Sequence, residues 1–157
     1  PMISLSLPLL ALLACGDKDD DTGGGASSAS VCIDDDLGRS LEYELASVVP
    51  EGDDFQAMSC GDSTLGTDSD DHGWTWAAPA DGGYTFSTTG STFNTVLFIL
   101  DGDCLGEVLA CNDDATFDTT QSEVYLELVE GQEIVIVVDG YDAFSSGTIS
   151  LKVLQDL

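Results

Sequence analysis

The stretch that decides the fold is TFNTVLFILDGDCLGEVLACNDD, residues 92–114. Its apolar run 96–100 is short and rich in β-branched and aromatic side chains, as buried strands are. An Asp-Gly-Asp turn follows at 101–103, and a second short strand forms around Val108. The stretch therefore predicts a β-hairpin in the core of a folded domain.

Similar short segments recur on both sides of this hairpin, separated by turns rich in Gly, Asp and Ser. Their positions are 32–33, 41–45, 74–77, 84–88, 124–128, 134–138 and 149–153, with polar residues 34–36 between the first two and polar loops at 61–73 and 115–121. The run 134–138 is apolar on both faces, which predicts a central strand. No segment after residue 31 has a helical period. The pattern predicts an all-β domain, a single antiparallel β-sandwich of roughly eight strands.

Composition limits the function classes. The chain has 157 residues, enough for one domain and a tail, and carries 30 Asp and Glu against three Lys and Arg, a net charge of -27. Such a charge repels nucleic acid and anionic lipid headgroups, so phosphate-binding functions are excluded. The hydrophobic content of 43% nevertheless supports a packed core.

The N-terminal region has the pattern of an exported lipoprotein. Residues 1–14 are predicted to be a signal peptide, 15–30 a flexible acidic Gly/Ser linker, and 31–157 the β-sandwich. The apolar run 2–14 is short for a membrane span and has the length of a signal-peptide core. It ends in Leu-Leu-Ala-Cys, which resembles the bacterial lipobox, so Cys15 is predicted to carry the acyl (palmitate) lipid. The predicted location is the cell envelope, at the outer membrane or cell surface rather than the inner membrane. The alternative is an ordinary secretory signal with an incidental cysteine.

Four further cysteines lie in the predicted domain. An even number in an exported chain predicts two disulfides, and three pairings are possible. We expect Cys104–Cys111 across the hairpin and Cys32–Cys60 between the early strands. Zinc is disfavoured because the cysteines form no CxxC motif and the chain has a single histidine.

Oxygen-bearing side chains cluster at both ends of the hairpin, and calcium, which takes about six to eight oxygen ligands, is the predicted cation. The candidate ligands are Asp101, Asp103, Asn112, Asp113 and Asp114, with Asp118, Asp139 and Asp142 as further candidates. The two ends of the hairpin can belong to different sites. The alternative is that these residues only form turns, for which Asp and Asn are favoured.

Aromatic residues divide into two groups. Trp74, Trp76, Tyr84 and Phe93 lie in or beside predicted strands and are interpreted as core rather than as a binding platform. Tyr141, Asp142 and Phe144 lie in a Gly/Ser loop and are predicted to contact a ligand, a glycan or a matrix protein. His72 stands alone in a polar loop, and neither serine-hydrolase nor HExxH spacing occurs, so an enzyme is not expected.

Five segments, taken in order, are similar to the bacterial pre-peptidase C-terminal domain. They are WAAP at 76–79, GYTF at 83–86, FNTVL at 93–97, LACNDD at 109–114 and GQEIVIVVDG at 131–140. The resemblance covers residues 31–154 and implies a jelly-roll-like β-sandwich. It also implies a non-catalytic accessory domain of secreted peptidases, related to collagen-binding modules that carry calcium. Asn94 departs from the pattern, because an Asp often stands there in the family.

These observations predict a non-catalytic, membrane-anchored lipoprotein that serves as a binding or adhesion module of the cell envelope, stabilised by calcium. Three alternatives stay open at this point. They are a structural envelope protein without a specific ligand, an accessory domain that acts in trans with a secreted peptidase, and a hydrolase of unknown class.

Overall fold

The computed structural model describes residues 32–41, 46–50, 52, 55, 60 and 69–156. The predicted signal peptide, Cys15 and the predicted linker lie outside the described residues, as do parts of the predicted strand 41–45 and of the polar loop 61–73. Within the described residues, no helix has the length and apolar character needed to cross a membrane.

The described part of the chain consists of strands, turns and bends. The strands are β1 (Asp35–Asp36), β2 (Ala46–Val48), β3 (His72–Ala77), β4 (Gly82–Ser87), β5 (Thr95–Asp101), β6 (Val108–Asn112), β7 (Glu123–Leu128), β8 (Glu133–Gly140) and β9 (Ile149–Asp156).

Two sheets form a sandwich. One has the order β1-β3-β8-β5-β6 and the other β2-β9-β4-β7. Every pair is antiparallel except the two-residue pair of β1 with β3, which is parallel. The prediction of an all-β sandwich is therefore confirmed, and β8 lies in the middle of the larger sheet, as its doubly apolar sequence predicts.

The main core fills the space between the sheets. Alternate residues of each strand point inward, so Trp74 and Trp76 of β3 share the inner face and are each 1% exposed. The Trp76 ring packs edge-on against Tyr84 and Phe86 of the opposite sheet, with centroids 5.2 and 5.5 Å away. Each buried side chain of this size contributes about 1.5–3 kcal/mol. The prediction that the strand aromatics are core residues is confirmed.

A second core covers the outer face of the five-stranded sheet. Val96, Phe98 and Leu100 of β5 and Val135 and Val137 of β8 point to this face and are 0% exposed. Cys32, Phe55 and Cys60, all earlier in the chain than β3, are buried against this face, and the Phe55 ring lies 5.2 Å from that of Phe98. The two middle strands are thus apolar on both faces because both faces are buried.

The disulfides differ from the expected pairing. Cys32 is bonded to Cys104 and Cys60 to Cys111, so each bridge joins a cysteine that precedes β3 to the β5–β6 hairpin. The expected Cys104–Cys111 bond is wrong because Cys104 lies in the hairpin turn while Cys111 is well along β6, opposite Phe98. Cys111 lies three residues beyond Val108, where β6 begins, and three residues of extended strand span about 10 Å. This distance from the start of β6 already exceeds the Cα separation that a disulfide allows.

The N-terminal strand is also displaced from its expected position. The sequence predicts a strand at 32–33 with polar residues 34–36 outside the sheet, but Asp35 and Asp36 are the residues that pair with β3. The side chain of Asp36 explains the shift, since its carboxylate accepts hydrogen bonds from the Gly38 amide (2.9 Å) and the Thr75 hydroxyl (2.8 Å), and these bonds lower its pKa. Gly73 allows the close approach, because a Cβ there would lie 1.7 Å from the carbonyl oxygen of Cys32.

We expect each disulfide to contribute about 4 kcal/mol to stability, because the loops that they close are long, with sequence separations of 72 and 51 residues. Replacing either pair by serine should lower the urea midpoint by a corresponding amount. Peptide mapping after cleavage at both Asp and Glu separates all four cysteines. A linked peptide that joins Cys104 to Cys111 would contradict the observed pairing.

Candidate binding surface

Three loops meet at one end of the sandwich, which we name the loop end: residues 88–94, 113–122 and 141–148. Main-chain hydrogen bonds of 3.0 Å join them. The Thr95 amide donates to the Thr120 carbonyl, the Tyr141 amide to the Asn94 carbonyl, and the Thr92 amide to the Thr148 carbonyl. The three loops therefore form one continuous surface.

A buried hydroxyl network joins the bases of the first and second loops. Thr88, Thr95 and Ser122 are each 0% exposed. The Thr88 and Thr95 hydroxyls lie 2.6 Å apart, and the Ser122 hydroxyl lies 2.7 Å from the Thr95 carbonyl and 2.5 Å from the Asp113 carbonyl, between which it shares its single proton. Because buried polar groups are costly to leave unpaired, this network fixes the bases of these two loops relative to each other.

Phe117 stands at the tip of the second loop and is 109% exposed. It occupies a turn closed by the hydrogen bond from the Thr119 amide to the Thr116 carbonyl (3.2 Å), and the bond from the Ala115 amide to the Gln121 carbonyl (2.7 Å) closes the loop below it. Sequence reasoning missed this residue. The available signal was a single phenylalanine in an otherwise polar loop, where nothing offers it burial.

The third loop carries the predicted contact residues Tyr141, Asp142 and Phe144. Phe144 is 92% exposed and Tyr141 is 40% exposed. The Asp142 carboxylate accepts hydrogen bonds from the Phe144 amide (3.0 Å) and the Ser145 hydroxyl (2.9 Å), so it shapes the turn that presents Phe144. The structure places these three residues together on the loop end, and the loop 88–94 is hydrogen-bonded both to their loop and to the loop that carries Phe117.

The loop end is strongly acidic. Asp113, Asp114, Asp118 and Asp142 lie on its loops, whose sequences contain no Lys, Arg or His. The salt bridges found among the described residues, of Arg39 with Glu130 and of His72 with Asp34 and Asp35, do not involve these four carboxylates. The exposed aromatic rings therefore lie on loops whose own charged side chains are all carboxylates, and the Lys152 ammonium of β9 approaches Gly90 of the first loop.

Asp113 is the most perturbed of these acids. Burial raises the pKa of its carboxyl above the ordinary value, and the neighbouring negative charge of Asp114 raises it further. Its Oδ1 is buried without a hydrogen-bond partner, and so is Oδ1 of Asn94, which lies beside the first residue of β5. Ionised Asp113 therefore costs the fold free energy that its protonated form does not.

The predicted calcium ligands divide between the two ends of the hairpin. Asp101 and Asp103 lie at the β5–β6 turn, where the Asp103 carboxylate accepts from the Leu105 amide (2.8 Å). The Asn112 side chain at the other end is engaged by the Glu123 amide (2.9 Å) and the Asp114 carbonyl (3.2 Å). In the part of the chain that the structure describes, no three acidic, histidine or cysteine side chains converge as one metal ion requires. Calcium binding stays a prediction.

His72 is the first residue of β3 rather than part of a polar loop. Its Nε2 lies 3.0 Å from the Asp35 carboxylate, its Nδ1 lies 3.6 Å from that of Asp34, and its ring packs on Trp74 at 4.4 Å. Within the described residues, these contacts join β1 to β3 and include no serine or cysteine. The arrangement acts as a structural clamp.

Two cavities of about 300 Å³ accompany these features. One lies beside Phe117 and is lined by residues 114–117, so it belongs to the loop end. The other lies near the opposite end, where Arg39 and Trp76 line it together with the carboxylates of Asp36 and Glu133.

Comparison with known proteins gives one structural likeness to report. The chain is similar to the pre-peptidase C-terminal domain of a collagenase from Bacillus anthracis, with 12% sequence identity, 77% of this chain and 95% of that chain covered, and a TM-score of 0.46. No family model and no curated protein matches the chain. Membership of the pre-peptidase C-terminal family stays a prediction.

Replacing Asp113 by Asn should stabilise the fold at pH 7 by less than about 1 kcal/mol, because a half-exposed charge is screened by solvent. The raised pKa sets the sign. The pKa of Asp113 is higher in the folded state than in the unfolded state, so the wild type loses stability as the pH rises through these two pKa values. Below them Asp113 is protonated in both states, and the advantage of the variant should vanish. Urea titrations with a chelator present measure the difference.

Asp118, which is exposed, provides the control, and its replacement by Asn should change stability less. The same samples test the calcium prediction. Millimolar calcium should raise the Tm of the wild type more than that of the Asp113 variant, because a ligand of the folded state stabilises it. Equal shifts in both would remove Asp113 from the predicted ligand set.

Proposed function

We propose that this chain is a non-catalytic, lipid-anchored binding module of the bacterial cell envelope, and that the loop end is its contact surface. The observation that carries the proposal is the pair Phe117 and Phe144, which are 109% and 92% exposed on two loops of the same end of the sandwich. Full exposure of large apolar side chains is unfavourable in water, and two such rings on loops that are both hydrogen-bonded to the loop 88–94 are suited to an interaction site.

The arrangement suits recognition for a physical reason. Aromatic rings bury a large area with few rotatable bonds, and they are enriched among the residues that dominate binding energy. The hydroxyl network under the loops supports pre-organisation, which reduces the entropy lost when a partner binds. A ligand that covers both rings gains their burial without reshaping the loops.

The lipobox-like sequence at Cys15 and the Gly/Ser/Asp linker support the anchored state. An acylated cysteine followed by a flexible tether would hold the domain at the membrane while its charge of -27 keeps it away from anionic headgroups. The non-catalytic assignment is supported by the contacts of His72, which clamp two strands together and include no nucleophile among the described residues.

Replacing both Phe117 and Phe144 by serine should weaken binding to a cognate glycan or matrix protein by at least about 100-fold, since two central aromatic anchors are each worth on the order of 2 kcal/mol. The measurement is an array of glycans and matrix proteins probed with the wild type and the double variant. Stability should be nearly unchanged, because neither ring is buried.

A matched control is the double replacement of Leu105 and Val129 by serine, because these side chains are 68% and 62% exposed in turns away from the loop end. This variant should bind as the wild type does. Equal losses in both variants, or unchanged binding of the Phe117/Phe144 variant, would rule out the loop end as the contact surface. An array on which nothing binds would instead favour a structural envelope protein without a ligand.

A further inference from the structure

We propose that the partner bound by the loop end is a polypeptide segment rich in Lys and Arg. This inference rests on the proposed function, because it names the chemistry of the ligand that the loop end takes. Its basis is the combination of exposed aromatic rings with carboxylates that have no cationic neighbour on the same loops.

The negative charge of the loop end is available to a partner. Asp114, Asp118 and Asp142 are exposed, and the hydrogen bonds of Asp142 to its own turn leave its charge in place. No salt bridge among the described residues neutralises them. A cationic partner therefore meets carboxylates that need not give up an existing ion pair.

The aromatic rings add a second attraction of the same sign. The face of a phenylalanine or tyrosine ring attracts an ammonium or guanidinium group by about 0.5–1 kcal/mol at exposed sites. Phe117, Tyr141 and Phe144 thus offer both apolar area and sites for cations. The long aliphatic stems of Lys and Arg can pack on the rings while their charged ends reach the carboxylates.

Charge also selects against the other occupants. Anionic lipid surfaces and acidic glycans are repelled by the carboxylates, and a second copy of the chain carries the same -27 charge. A neutral glycan can stack on the rings and donate hydroxyl hydrogen bonds to the acids, but it does not neutralise their charge. A basic polypeptide uses both features, since opposite charges across an interface guide encounter and fix specificity.

The test is binding of a fluorescent ten-residue arginine peptide to the full chain by anisotropy, with a ten-residue glutamate peptide and a neutral dextran as comparison probes. Replacing Asp114, Asp118 and Asp142 by Asn keeps side-chain size and the turn-forming oxygen of Asp142 while it removes three charges. We expect this variant to bind the arginine peptide about tenfold more weakly. We also expect the wild-type affinity to fall as salt increases.

The matched control removes three exposed carboxylates near the opposite end, by Glu107→Gln, Glu127→Gln and Glu133→Gln. Its affinity should change less than about twofold, because charges beyond a screening length of about 10 Å contribute little. Equal weakening in the two triple variants would overturn the inference, since binding would then reflect the overall field of the chain. Failure of the arginine peptide to bind would overturn it as well.

The outcomes separate this inference from the proposed function. If dextran or a glycan binds and only the Phe117/Phe144 variant loses that binding, the loop end is still a contact surface and only the basic partner is wrong. If the Phe117/Phe144 variant binds every probe as the wild type does, both the proposed function and the inference of a basic partner fail. Self-association that this variant abolishes would assign the surface to a second copy and overturn the basic partner.

Discussion

The structure depends on the pairing of β5 with β8, because these two strands are apolar on both faces. A strand of this kind is stable only when both faces are covered. The four-stranded sheet covers one face, where Trp74 and Trp76 pack against Tyr84 and Phe86. On the other face Cys32, Phe55 and Cys60 are buried, and the Cys32–Cys104 and Cys60–Cys111 disulfides tie the two cysteines to the β5–β6 hairpin.

Much of this architecture could be predicted from local sequence. The run 134–138 has no polar side, which places it in the middle of a sheet, and Trp74 and Trp76 share a face because strand side chains alternate. The fold class follows from such patterns, since each depends on a few adjacent residues. The parallel pair of β1 with β3 does not follow, because Asp35 and Asp36 join the sheet through partners far along the chain.

The disulfide pairing and the full set of exposed aromatic residues at the loop end could not be predicted from the sequence, for the same reason. Which cysteine reaches Cys111 depends on the face of β6 from which it projects and on what covers that face. Tyr141, Asp142 and Phe144 were recognisable from their loop composition, but Phe117 joins them only because two loops far apart in sequence end at the same edge. The calcium candidates appeared as one cluster in sequence, yet the hairpin separates Asp101 from Asp113 by its full length.

The loop end combines a rigid base with exposed tips. Thr88, Thr95 and Ser122 are completely buried and hydrogen-bonded, whereas Phe117 and Phe144 at the loop tips are 109% and 92% exposed. Main-chain hydrogen bonds between the loops make them a continuous part of the sandwich.

The position of the disulfides has a mechanical consequence. A pulling force applied to the chain on the N-terminal side of Cys32 passes through a covalent bond to Cys104, and so reaches the hairpin turn without loading the two-residue pairing of β1 with β3. Peeling that short strand from the sheet edge would otherwise be the weakest step under tension. If the domain were held by a tether at its N-terminal side, the load would be carried by the sulfur bridge from Cys32 to the β5–β6 turn.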